Sequence, residues 1–288
     1  MKKLLSAVLI LCAVFLVGCT QNTQPDATTD NTTGNISTTN EQATDSSDTT
    51  TPTAKGMAGV NDLSKSKVVW GPGVINDHRQ PADPVDLQRT FGDLGARWLL
   101  DDEKSICLTF DEGYENGYTP AILDTLKEKK VKAVFFVTYD FARDNGELIR
   151  RMIDEGHIVG NHTYRHYTMD DVSLDEAKEE VVYLHNYMKD KYNYTMSYFR
   201  FPKGEFSQQS LYLVHSLGYK SVFWSYAYAD WDPDNQPDEE YTLSGILDST
   251  HPGEIMLLHA VSNTNAAILG RVIDGCREQG YSFTTDIG

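Results

Sequence analysis

From about residue 65 onward, short apolar runs alternate with longer stretches in which apolar residues recur every three or four positions. The runs at 106–110, 133–138, 157–160, 198–201, 220–224, 255–258 and 281–284 predict strands. Helices are predicted between them over 120–129, with proline near the first turn, and over 147–155, which Gly156 stops. Further helices are predicted over 174–192, 207–217, 243–249 and 266–279. Ser173 followed by Glu176 is a capping box opening the long amphipathic helix. Strand–helix alternation of this kind argues for an α/β fold on a parallel sheet, and the number of units for a barrel or near-barrel. Closure does not follow from the pattern alone. Residues 65–104, with Trp70-Gly-Pro-Gly73 and the prolines at 81 and 84, read as an N-terminal wrap or lid leading into the main domain at 105–288.

The first 64 residues carry none of that periodicity. Met1-Lys2-Lys3 is basic, residues 4–17 are apolar, and Leu16-Val17-Gly18-Cys19 follows. The apolar stretch is short for a membrane span and has the flanks of a signal peptide. Its end resembles the bacterial lipobox, which implies cleavage before Cys19 and a lipid on the Cys19 thiol. A simple secretory signal or an uncleaved anchor are the alternatives. From Thr20 to about Ala54 the chain is Thr, Asn, Asp, Gln and Ser, with five acids and no Lys or Arg. Such a segment cannot bury enough surface to offset its chain entropy, so residues 20–64 are expected to be a disordered tether or an equally extended glycosylated stalk. The expectation is a lipid-anchored, extracytoplasmic protein on the outer face of the membrane.

Composition then narrows the partners. A net charge of −17 argues against a nucleic acid bound through its phosphates. Setting aside the tether's five acids and the leader's two lysines leaves −14 on residues 55–288, where it serves solubility. Cys12 and Cys19 belong to the leader. Cys107 and Cys276 are too far apart for a disulfide framework and are expected to be buried small hydrophobes.

In a parallel β/α fold the reactive side chains lie just past strand C-termini. The run 106–110 ends in Asp111-Glu112-Gly113. Past 157–160 comes His162-Thr-Tyr-Arg-His166, two histidines at a spacing that reaches one metal ion. Arg200 lies in Phe199-Arg-Phe-Pro-Lys-Gly204, Asp230-Trp231 follow the run 220–224, and His259 ends the run 255–258. Convergence of these strand ends points to a metal-assisted hydrolase. His78, His157, His185, His215 and His251 lack such context and read as surface or packing residues. Glu115 and Asn116 suit a groove or a turn, and Asp232, Asp234 and Asp238 a solvated loop.

Thr109-Phe-Asp-Glu-Gly113, His162-x-x-x-His166, Arg200-x-Pro202-x-Gly204, Asp230-Trp231 and Leu257-Leu-His259 resemble, in order and spacing, the motifs of the polysaccharide deacetylase (NodB-homology) family. The longer wording 109–120 and 257–266 is similar to the delta-lactam-biosynthetic de-N-acetylases, which act on muramic acid in peptidoglycan. The resemblance implies a distorted (β/α) barrel from 105 to 288 and one divalent ion, zinc first, with cobalt, manganese or magnesium as alternatives. It implies His162, His166 and Glu112 as ligands, Asp111 as general base, Arg200 as its partner, His259 as general acid and Asp230 as the residue that orients it. Trp231, Leu257 and Tyr114 would line the sugar groove. The implied reaction removes the N-acetyl group of N-acetylmuramic acid in peptidoglycan glycan strands, leading to muramic delta-lactam after a muramoyl-alanine amidase has acted. N-Acetylglucosamine deacetylation and a catalytically weak carbohydrate-binding pseudoenzyme are the other readings.

One position departs from the family. The second acid of the first motif is usually aspartate and is here Glu112. The extra methylene moves its oxygens by more than an ångström on the order metal geometry resists. Glu112 ligates from a displaced backbone, or leaves a two-histidine site, or marks lost activity.

Overall fold

The computed structural model describes residues 59–73 and 75–288. The leader, Cys19 and most of the tether lie outside the described residues. Among the described residues there are ten strands: β1 (Val68–Val69), β2 (Ala96–Arg97), β3 (Ser105–Glu112), β4 (Val134–Val137), β5 (Ile158–Asn161), β6 (Tyr198–Phe199), β7 (Glu205–Phe206), β8 (Lys220–Val222), β9 (Ile255–His259) and β10 (Ser282–Phe283). The helices are α1 (Ala82–Phe91), α2 (Thr119–Lys129), α3 (Tyr139–Asp144), α4 (Gly146–Asp154), α5 (Leu174–Tyr192), α6 (Gln208–Ser216), α7 (Glu239–Ser249) and α8 (Asn263–Glu278).

The main sheet is parallel and runs β10-β3-β4-β5-β6-β8-β2, with β9 also on β3. It curls until the chain past β8 meets β9. Tyr226 bridges Met256 there, and Leu257 N–H donates to the Tyr226 carbonyl at 2.9 Å. The expected distorted (β/α) barrel is therefore closed by a few hydrogen bonds rather than by a full strand pair. All eight residues of β3 are buried, as a continuous apolar run in a parallel sheet requires. Cys107 and Cys276 are free and buried, and the capping box at Ser173 and Glu176 is formed.

Several elements begin earlier than their apolar periodicity. Asp238 accepts from Tyr241 N–H and starts α7 at Glu239, while Ser262 accepts from Asn265 N–H and starts α8 at Asn263. The helix α1 hides behind Pro81 and Pro84, which sit before it and in its first turn, where a missing N–H costs nothing. The wrap is thus structured. Trp98 is buried and stacks on Phe223 at 4.3 Å, β1 pairs antiparallel with β7, and the Trp70 indole donates to the Trp224 carbonyl at 3.0 Å. The tether also ends earlier than its composition suggests. Val60 is buried and its carbonyl accepts from the Gln209 amide at 2.8 Å, so 59–64 pack on the folded unit.

Candidate active site

Strand register assembles the centre. His259 on β9, Asp111 on β3, Phe136 on β4 and Gly160 on β5 form one row across four parallel strands. A Cβ on Gly160 would lie 2.5 Å from Phe136 Cδ1, so only glycine lets that ring sit where it does. The Arg200 guanidinium lies 4.1 Å over the Phe136 ring. Its edges are committed to Asp111 Oδ1 and Thr109 Oγ1, both at 2.8 Å, and to the carbonyls of Val222 and Phe223 at 3.0 and 3.2 Å. A fully buried guanidinium is tolerable only when paired and saturated in this way. Burial alone would push the Asp111 carboxyl up, but the Arg200 charge and hydrogen bond, with the His259 charge behind them, outweigh it and hold it below the usual carboxylate range.

The two histidines stand beside Asp111. His162 Nδ1 is 2.9 Å from the Arg200 carbonyl, which makes that nitrogen the protonated one and leaves Nε2 bare. His166 Nε2 is 3.2 Å from His162 Nε2, and Asp111 Oδ2 is 3.5 Å from it. The connecting loop is strained: Thr163 and His166 have φ of 76° and 59°, a region costing side-chain-bearing residues about 1–3 kcal/mol each. Asn161 holds it, its Oδ1 accepting from Thr163 N–H at 2.9 Å while Thr163 Oγ1 accepts from His166 N–H at 2.9 Å. Burial lowers the pKa of His162 and, with His162 alongside, takes His166 to about 4, so both imidazoles are neutral at neutral pH. Two neutral imidazoles with adjacent Nε2 atoms are a donor set suited to a divalent ion.

Across the row, His259 Nδ1 donates to Asp230 Oδ1 at 2.7 Å, and its backbone N–H donates to Oδ2 at 2.7 Å. Burial acts to lower the His259 pKa, but the Asp230 hydrogen bond and charge, with Asp111 behind them, raise it overall. Asp111, His162, His166, His259, Tyr114, Trp231 and Leu257 all line one cavity of about 850 Å³. Arg200 and Asp230 sit behind its wall, and Trp231 is 59% exposed, its ring 6.2 Å from the His259 ring. A carboxylate held ionised, two neighbouring imidazole nitrogens and a protonatable imidazole can together hydrolyse an acyl compound.

Glu112 is placed differently from the two histidines. Successive residues of a strand point to opposite faces, so with Asp111 turned inward Glu112 turns outward, away from the histidines. Its two oxygens lie 3.4 and 3.5 Å from the Thr119 hydroxyl of α2, whose shorter contact is to the Glu115 carboxylate. It does not line the cavity. Burial, then the Glu115 and Asp111 charges, raise its pKa well above the usual carboxylate range. Among the described residues, no group of three or more His, Cys, Asp or Glu is arranged to hold an ion. Of the three expected ligands, His162 and His166 line the cavity and Glu112 does not.

Other wall residues were not singled out by the motifs. Tyr164 and Arg165, between the two histidines, and Lys203, inside the arginine motif, face the cavity. Their places within two recognised motifs were the available signal. Gly71 and Pro72 of the wrap and Tyr228 before Asp230 gave none. His157, His185 and His251 are buried and hydrogen-bonded within the structure, as packing residues.

Comparison with known proteins agrees with this geometry. The signature of the family described as polysaccharide deacetylase matches residues 100–222. The peptidoglycan-N-acetylmuramic acid deacetylase PdaA of Bacillus subtilis is 39% identical over 235 residues, covering 80% of this chain and 88% of that protein. The crystal structure of B. subtilis PdaA, a family 4 carbohydrate esterase, superposes with a TM-score of 0.74 at 38% identity, over 77% of this chain and 96% of that one. The peptidoglycan-N-acetylglucosamine deacetylase PgdA of Listeria monocytogenes is 32% identical over 182 residues, covering 63% of this chain and 38% of PgdA.

Proposed function

The chain belongs to the polysaccharide deacetylase family, and on that premise we propose that it hydrolyses the N-acetyl group of N-acetylmuramic acid in peptidoglycan, leading to muramic delta-lactam. The observation that carries this reading is the register pairing of Asp111 with His259 at the mouth of one cavity, backed respectively by Arg200 and Asp230. Identity to the muramic acid deacetylase over 80% of the chain, against 63% for the glucosamine enzyme, supports the choice of sugar.

In this reading Asp111 takes the proton of the attacking water. Its depressed pKa keeps it a base, and Arg200 aims Oδ2 into the cavity by occupying Oδ1. His259, protonated through its contact with Asp230, delivers a proton to the departing amine. Trp231, Tyr114 and Leu257 offer apolar surface to the pyranose. His162 and His166 would hold a divalent ion, zinc first and cobalt, manganese or magnesium otherwise, which when bound supplies Lewis acidity for the acetamide carbonyl. The freed amine can close on a lactyl carboxyl only where the stem peptide is gone, which couples the protein to a muramoyl-alanine amidase. An extracytoplasmic site and a lipid on Cys19 complete the reading, on the strength of the leader sequence.

Mass spectrometry of peptidoglycan fragments incubated with the purified protein and added divalent metals tests it. Acetyl loss from muramic acid after amidase treatment is the expected result. Loss from glucosamine alone would select the other sugar, and no loss with any metal would remove the activity.

A further inference from the structure

Asn265 plays no part in the roles given so far. It lies in the first turn of α8 and is 1% exposed. Its amide is fully used: Nδ2 donates to Asp230 Oδ2 at 2.6 Å and to the His259 carbonyl at 3.1 Å, while Oδ1 accepts from the Tyr228 hydroxyl. Only one orientation works. Turned over, the amide would set its oxygen against a carboxylate and a carbonyl. Its backbone N–H is held by the Ser262 hydroxyl at 3.0 Å, so the side chain is fixed from both ends.

This arrangement decides how Asp230 is shared. Oδ2 is occupied by Asn265 and by His259 N–H, which leaves Oδ1 for the His259 ring. The acid imidazole is itself only partly enclosed, with 23% of its side chain exposed, so its direction depends on the carboxylate plane behind it. Tyr228 lines the cavity, and burial together with the Asp230 charge raises its phenol, which makes it a donor at any working pH. An unbroken chain of hydrogen bonds thus runs from a cavity wall to the residue that protonates the leaving group.

We propose that Asn265 is a positioning residue for the general acid, and that Tyr228 ties its orientation to what occupies the cavity. The proposal rests on the deacetylase reading, and its signature is selective. Misaligning His259 impairs departure of an amine, which must be protonated, more than departure of a nitrophenolate, which need not be. In both reactions water adds to the acetyl carbon and acetate is released; only the fate of the leaving-group proton differs.

The experiment compares turnover of an N-acetylated peptidoglycan fragment with that of 4-nitrophenyl acetate in the parent protein, Asn265→Ala and Tyr228→Phe. General acid catalysis contributes about 100–10,000-fold, and a misaligned acid forfeits part of that factor. The amide-to-ester ratio should therefore fall by about tenfold or more in Asn265→Ala and by a smaller, measurable factor in Tyr228→Phe, which deletes a single hydroxyl and leaves packing intact. Equal losses on both substrates, or an unchanged ratio in both variants, overturn the proposal. A parent protein inactive on the amide overturns the deacetylase reading instead, and this inference with it.

Discussion

The two faces of β3 put neighbouring carboxylates into opposite electrostatic worlds. Asp111 looks inward, where the Arg200 guanidinium is stacked on Phe136 and saturated with oxygen acceptors, and its pKa is held low. Glu112 looks outward to the start of α2, where a threonine hydroxyl is its contact and a second carboxylate stands nearby, and its pKa is pushed high. Both are buried. Desolvation acts on each in the same direction, so the difference comes from partners alone. One position favours the charged carboxylate; the other disfavours it.

The largest test of that contrast is to neutralise each side chain in turn. Asp111→Asn should lower kcat for acetate release by roughly a thousandfold, within the range for a lost general base, while calorimetry shows divalent metal binding changed by no more than a few-fold. Glu112→Gln should leave both quantities within about threefold. If Glu112→Gln abolishes metal binding, the glutamate is a ligand after all and the assignment of faces is wrong.

A second pair sits across the row, where Asp230 does for His259 the reverse of what Arg200 does for Asp111. The imidazole's pKa is raised, so its protonated form is present at lower pH and lost as pH rises through the raised value. Asp230→Asn removes that support. A drop of about a hundredfold in kcat is expected, with the alkaline limb of the pH–rate profile moved to lower pH. A limb that stays in place would take His259 out of the role of acid.

Support from beneath the inward face is tested by Gly160→Ala. The added methyl collides with Phe136, the platform of Arg200. Overpacking of this kind costs about 1–3 kcal/mol, read as a lower urea midpoint, and a displaced Arg200 should lower kcat as well. Unchanged stability would mean that Phe136 has room to move and that the register row is looser than it appears in the structure.

Much of this architecture is visible in the chain itself. The apolar runs locate β3, β4, β5 and β9, and the polar residues after them converge in one cavity because parallel strands deliver their C-terminal ends to the same side. What the motif reading obscured was the period of two. Thr109 and Asp111 fall on one face and Phe110 and Glu112 on the other by simple alternation, and treating Asp111-Glu112 as a unit overrode that signal. Asn265 lies inside the stretch 257–266 that resembles the de-N-acetylases, but nothing local marked its role, and Tyr228 carried no signal. Their contact depends on how the loop after β8 meets the first turn of α8, which no local pattern encodes. The helix α1 was lost for a local reason, two prolines that read as a turn but sit where a helix can take them.

The smallest effect discriminates the two faces without any substrate. A carboxyl whose pKa is lowered by folding contributes stability that is present above its unfolded value and fades as pH falls. For Asp111 that window lies below about pH 4, near the ordinary aspartate value. A carboxyl whose pKa is raised by folding does the opposite. For Glu112, stability present below the ordinary glutamate value declines as pH climbs toward the raised one, with a slope bounded by about 1.4 kcal/mol per pH unit. Glu112→Gln should therefore flatten the fall in the urea-unfolding free energy above about pH 4.5, whereas Asp111→Asn should flatten its rise below about pH 4. The two curves must change slope in opposite senses. A common sense for both would show that the inward and outward faces of β3 do not differ as the hydrogen bonds of Arg200 and Thr119 require.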